Sequence, residues 1–157
     1  VISSFGKTFH ATGWKIGYCI APAELTTEFR KVHQFTTFTV STPMQHGIAD
    51  FLQSDPEFFE ELPAFYHQRR DHFCQMLDDT RFRFKPASST FFQIVDYGEI
   101  SSEDDITLAK RWTRDNGVAS IPLSVFCESP FTGTCLRFCF AKDDDTLTAA
   151  VEKLRDL

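Results

Sequence analysis

Lys7 stands in a turn of small and hydroxylated residues, Ser3-Ser4-Phe5-Gly6-Lys7-Thr8, and a second cation follows eight residues later in Thr12-Gly13-Trp14-Lys15. A lysine is a nucleophile only when neutral, and burial beside another positive charge is one way to depress its pKa. An amine so placed would suit an aldehyde cofactor whose phosphate is held by hydroxyls, backbone N–H groups and a cation. A phosphate dianion wants all three, and a turn can aim them inward. The competing reading is a surface lysine in a glycine-containing loop, and residue types alone leave both open. Gly13 and Gly17 fit close backbone packing better than ligand contact.

Arg137 is the second residue that could do chemistry. In Leu136-Arg137-Phe138-Cys139-Phe140-Ala141 a strand sends Leu136, Phe138 and Phe140 to one face and Arg137, Cys139 and Ala141 to the other. An arginine among small residues on an apolar strand needs a carboxylate, and its planar fork suits a bidentate pair. That carboxylate is either a ligand or an internal acid such as Asp96; plain exposure is the third possibility.

The elements that must position these groups are readable from periodicity. Val1 to Ser4 reads as the end of a strand entering the lysine turn, and Ile16 to Ala21 as a short apolar strand closed by Pro22. From Glu24 the period becomes helical, with Leu25, Phe29, Val32 and Phe35 or Thr36 on one face, as a packed stripe would have them. Pro43 starts another helix, with Thr42 as N-cap and Met44, Ile48, Phe51 and Leu52 inward. Asp55-Pro56 opens a short helix, and Pro63 starts a longer one over 64–77 with Arg69, Arg70 and Asp71 turned to water. Beyond it, strands are expected at 81–85, 91–95, 118–122 and 136–141. Helices are expected over 104–116 and after the acidic run 143–145, the last with Leu147, Val151 and Leu154 as its stripe. The grammar therefore changes from helical hairpins to a small layered α/β unit, and the boundary is placed at 68/69.

Composition bounds the partners. The 157 residues carry a formal charge of −6, which disfavours nucleic acid and anionic membranes. No apolar run approaches a membrane span. Five cysteines, at 19, 74, 127, 135 and 139, lack zinc or disulfide spacing, so no metal site is expected and reduced thiols in the cytoplasm fit. Eighteen phenylalanines must fill cores or an interface. Nucleotide binding lacks support: there is no GxGxxG, and Gly6-Lys7-Thr8 lacks the earlier glycine of a P-loop. The chain opens on Val1-Ile2-Ser3-Ser4, without an initiator methionine or an element ahead of the lysine turn, and reads as cut from a longer polypeptide.

Ser4-x-x-Lys7, Thr12-Gly13-Trp14-Lys15 and Gly17, at their fixed spacing, resemble the lysine signature of fold-type I aminotransferases that use pyridoxal 5'-phosphate (PLP). Thr42-Pro43-Met44-Gln45, Thr90-Phe91-Phe92 and the run from Gly117 to Phe126 resemble the methionine and kynurenine–oxoglutarate branch, and the likeness covers essentially the whole chain. The resemblance implies the C-terminal portion of a PLP-dependent transferase fold, α/β in class: residues 1–68 end the large domain and 69–157 form the small one. It makes Lys7 the Schiff-base lysine and proton shuttle, Ser4 and Lys15 phosphate ligands, Arg137 the substrate-carboxylate arginine, and Phe126 part of the substrate pocket. His10 could reach that pocket or cap the loop. Phe38 and Thr39 fall where related dimers approach the partner's site.

The implied reaction passes the amino group of an apolar, aromatic or sulfur-containing amino acid to a 2-oxo acid, in a cytoplasmic homodimer. β-Elimination from a sulfur amino acid shares the same opening chemistry, and a non-catalytic truncated fragment is the reading from another class. An intact enzyme of this type also carries, ahead of the lysine, the acid paired with the pyridine nitrogen, a ring stacked on the cofactor, Asn and Tyr contacts to its oxygen, and most of the central sheet. None of these lies in the present sequence.

Overall fold

A computed structural model describes all 157 residues, Val1–Leu157, and divides them into two compact units, Val1–Phe58 and Phe59–Leu157. The boundary expected at 68/69 lies ten residues further on, inside a continuous helix.

In the first unit β1 (Ile2–Ser4) runs into the single-turn helix α1 (Phe5–Thr8). A 3-10 turn, Thr12–Trp14, leads to β2 (Gly17–Cys19), which pairs antiparallel with β1. Helices α2 (Ala23–Thr36) and α3 (Thr42–Ser54) follow. Gly17 is required by this hairpin, because a Cβ there would run into the Ser3 carbonyl oxygen. Gly13 has open space around it, so the packing role expected for it is not there.

Rings do most of the holding. Phe9 lies 5.5 Å from Phe5, 5.3 Å from Phe51 and 5.6 Å from Phe58, and Phe5 lies 5.1 Å from Tyr18. Ile16 and Ile48 are the buried aliphatic residues of this unit. The two rings flanking Lys7 in sequence thus tie its helix to the unit.

The stripe of α2 does not behave as its periodicity predicts. Leu25, Phe29, Val32 and Phe35 are all exposed, Phe35 by 85%, because no element of the chain covers that face. In α3 the N-cap is Ser41, with Thr42 already helical, and of the expected stripe only Ile48 is fully buried.

The second unit begins with α4 (Phe58–Leu77), which is continuous through Pro63. The expected start at Pro63 is not there: the helix begins five residues earlier, where the Phe58 N–H donates to Asp55 Oδ1 at 3.2 Å, and Pro63 lies inside it, removing one intrahelical bond. Arg69 and Arg70 are not simply solvated: Arg69 donates to the Lys142 carbonyl and lies 3.2 Å from Asp144, and Arg70 donates to the Ala87 carbonyl at 2.9 Å.

Strands β3 (Arg83–Phe84), β4 (Phe92–Asp96), β5 (Ile121–Pro122) and β6 (Cys135–Cys139) form an antiparallel sheet ordered β3-β4-β6-β5. Helix α5 (Asp105–Asp115) precedes β5, and α6 (Asp144–Arg155) closes the chain. Each is capped by the aspartate before it: Asp104 accepts from the Thr107 N–H at 2.9 Å and Asp143 from the Thr146 N–H at 2.8 Å.

The core lies on one face of this sheet. Val95, Leu136, Phe138 and Phe140 meet Phe73 and Leu77 of α4, Leu108 and Trp112 of α5, and Leu147, Val151 and Leu154 of α6. The opposite face, which carries Ile94, Arg137 and Ile121, is left open, as a one-sided antiparallel sheet allows.

Candidate active site

The β1–β2 hairpin brings the first three candidate residues to one end of a short ladder. Ser4 is the last residue of β1 and pairs with Gly17, two positions beyond Lys15; Lys7 lies one helical turn past Ser4. The hydroxyl of Ser4 makes no capping bond to the helix it precedes. Lys7 and Lys15 are exposed, so the burial envisaged for Lys7 is not supplied by this chain.

Two residues of this loop, His10 and Lys15, adopt left-handed backbone conformations, each with φ of 56°. Non-glycine residues there are uncommon and are strained, by about 1–3 kcal/mol each, where surrounding structure imposes them. The strain at Lys15 closes the 3-10 turn, while the adjacent Trp14 ring reaches Gly47 of α3, where a Cβ would stand 3.3 Å from it. His10 is exposed, with its ring edge-on to Phe58 at 6.3 Å. No Asp or Glu precedes Glu24, so the hairpin and its loop are a cationic segment in an acidic chain.

The remaining candidates belong to the second unit. Arg137 is in the middle of β6, opposite Ile94 of β4 and Ile121 of β5. Its guanidinium carbon lies 4.1 Å from the centre of the Phe92 ring and 5.0 Å from that of Phe126. No carboxylate of the chain pairs with it. Its Nε is buried without a hydrogen-bond partner. Asp96, the internal acid considered from sequence, is occupied elsewhere. It accepts from the Thr134 hydroxyl at 2.6 Å and the Gly98 N–H at 2.8 Å, and these bonds hold its carboxyl below the usual range.

Two supporting residues were not legible as such. Phe92 is seated by the turn before it: Thr90 has a left-handed φ of 72°, unusual for a β-branched residue, and its hydroxyl accepts the Phe92 N–H at 3.1 Å. Asp105 is buried at the start of α5 and accepts from both the N–H and the hydroxyl of Ser124, each at 2.7 Å. That carboxylate anchors the 3-10 turn Ser124–Phe126, from which the Phe126 ring reaches Arg137. The sequence offered only an acidic run at 103–105, in which a cap, a salt-bridge acid and an anchor look alike.

A family model described as aminotransferase class I and II matches residues 1–154, and the chain belongs to that family. Among curated relatives, a methionine aminotransferase of Escherichia coli (strain K12) is 50% identical over 99% of this chain and 40% of its own length. Kynurenine–oxoglutarate transaminase 3 of Rattus norvegicus is 34% identical over 98% of this chain and 38% of its own.

Solved structures agree. A crystal structure of an Escherichia coli protein reported to have methionine aminotransferase function superposes with a TM-score of 0.94 at 50% identity, covering 99% of this chain and 41% of that one. An N-succinyldiaminopimelate aminotransferase from Mycobacterium tuberculosis gives 0.91 at 31% identity, with 99% and 41% covered. The chain thus spans about two-fifths of the length of the relatives it matches.

Proposed function

We propose that this chain is the lysine- and arginine-bearing part of a PLP-dependent aminotransferase that moves the amino group of an apolar, aromatic or sulfur-containing amino acid to a 2-oxo acid. The observation that carries the reading is Arg137: a guanidinium against two rings, with no carboxylate of its own chain. A charged group kept in that state is matched by a ligand carboxylate, which a planar fork binds bidentately. The names of the relatives support the amino-acid class.

The residues present fit the cofactor. Lys7 would hold it, and Ser4 and Lys15 would meet its phosphate in a loop free of acidic side chains. When bound, PLP supplies an electron sink next to the amino acid's Cα. As a free amine, Lys7 Nζ takes the proton from Cα as general base, and later acts as the acid. Arg137 fixes the α-carboxylate, and the exposed Phe126, Ile94 and Ile121 offer an apolar surface for the substrate side chain. No observation favours β-elimination over transfer.

The same reading makes the first unit the end of the large cofactor-binding domain and the second the small domain. It also includes a homodimer in the cytoplasm. Five unpaired cysteines are compatible with a reducing compartment. Phe38, 80% exposed with a left-handed φ of 65°, is a candidate contact to a partner subunit. No helix is long and apolar enough to cross a membrane.

The test is chemical trapping on the chain itself. After PLP is added and borohydride reduces the adduct, peptide mass mapping is expected to find the label on Lys7, with Lys7→Ala unlabelled. Labelling spread equally over Lys15 and the other lysines overturns the assignment of Lys7.

A further inference from the structure

The surroundings of Arg137 carry an inference that rests on its carboxylate-binding role and deepens it. An unpaired arginine on an open sheet face has several rotatable bonds and would normally sweep through solvent, losing side-chain entropy when a ligand stops it. Here the guanidinium carbon lies over the Phe92 ring, 4.1 Å from its centre, and over the Phe126 ring at 5.0 Å. Both contacts are within the range of cation–π attraction. Burial closes the Nε edge without giving it an acceptor, so the Nη edge is the one left to meet a carboxylate.

The two rings are themselves held by devices with no other evident purpose. Phe92 starts β4 from the strained Thr90 turn, which accepts its N–H. Phe126 is 62% exposed and has no hydrophobic reason to stay against the sheet. What fixes its turn is a buried carboxylate, Asp105, bonded twice to Ser124. Burying an acid is costly unless its bonds are made, and here both bonds are to the turn that carries the ring.

We propose that Phe92 and Phe126 are positioning residues that clamp the Arg137 guanidinium with its Nη edge outward, and that Asp105 sets the clamp through Ser124. The arginine is then pre-organised for end-on bidentate binding of a carboxylate before any ligand arrives.

The experiment is nitrogen-edited NMR of the arginine side chains of this chain, with Arg137→Lys assigning the Arg137 signals. A clamped guanidinium rotates slowly and gives separate Nη signals; a free one gives a single averaged signal. Separate signals are expected in the wild type and in Phe126→Tyr, and averaged ones in Phe126→Leu, Phe92→Leu and Asp105→Asn. Phe126 is exposed, so Phe126→Leu should leave the urea midpoint unchanged; Ser124→Ala is the milder probe of the Asp105 anchor.

Titration with 4-methyl-2-oxopentanoate is expected to shift the Arg137 signals, with affinity falling at least about threefold in Phe126→Leu. Unchanged Nη signals in a folded Phe126→Leu protein overturn the clamp. Separate Nη signals that the oxo acid never shifts overturn the carboxylate role instead, so the two failures are distinguishable.

Discussion

The two units hold their candidate side chains in opposite ways. The second buries an uninterrupted cluster from Phe73 to Leu154 under one sheet face and keeps its arginine on the other. The first fully buries only Ile16 and Ile48 among its large apolar side chains, spans a two-stranded sheet, and exposes the apolar stripe of α2. A two-stranded ribbon is marginal by itself, and an amphipathic helix gains most of its stability from packing its apolar face. The contrast teaches that the arginine rests on a self-sufficient scaffold, whereas the lysine rests on one that leaves much apolar surface uncovered.

The sharpest break of that comparison is native-state amide exchange. Amides of β1, β2 and α2 should exchange orders of magnitude faster than those of β4 and β6, because few buried contacts protect them. Equal protection in both units would refute the contrast. Next in size, Trp112→Ala removes a side chain with 0% exposure and should cost about 3–5 kcal/mol in urea unfolding.

A smaller effect is expected at the cap of α6, where Asp143→Ala should lower the urea midpoint by much less than Trp112→Ala does. The Thr146 bonds hold the Asp143 carboxyl below its usual range. Its contribution is therefore present above the ordinary carboxylate range, near pH 4, and is lost as pH falls through the depressed folded value. Urea midpoints measured down to about pH 2 should show a shallower acid loss in Asp143→Ala than in the wild type. The smallest change is expected on α2: Phe35→Ser should alter stability by no more than about 0.5 kcal/mol, since its ring is 85% exposed. A large loss there would mean that the first unit depends on that face after all.

Much of the second unit was legible because its signals are local and redundant. Period-2 alternation in β6 put Leu136, Phe138 and Phe140 inward and Arg137 outward, and Asp143 before a 3.6-residue stripe marked the last helix. In the first unit the period of α2 correctly announced a helix and wrongly implied burial, since periodicity reports an apolar face and not the presence of something to cover it. Pro63 misled for a different reason: proline favours a helix start, but here the helix had begun five residues before it.

At the site, Lys7, Ser4 and Lys15 became candidates through the family resemblance of one short segment, which the structure folds as β1, α1 and the turn into β2. The supports of Arg137 could not be found that way. Phe92, Phe126 and Asp105 come from three separate segments, and only pairing of β4 with β6 and docking of the Ser124 turn on Asp105 brings them to one place.

The alternation of β6 also constrains how this protein can vary. One strand of five residues supplies the core with Leu136 and Phe138 and the open face with Arg137, so the core and the proposed carboxylate site share a single two-residue frame. One residue inserted within β4 or β6 would shift that frame, driving a guanidinium toward Trp112 and a phenyl ring into solvent. Substitutions can tune this sheet gradually, but length changes in its central strands offer no intermediate between intact and lost.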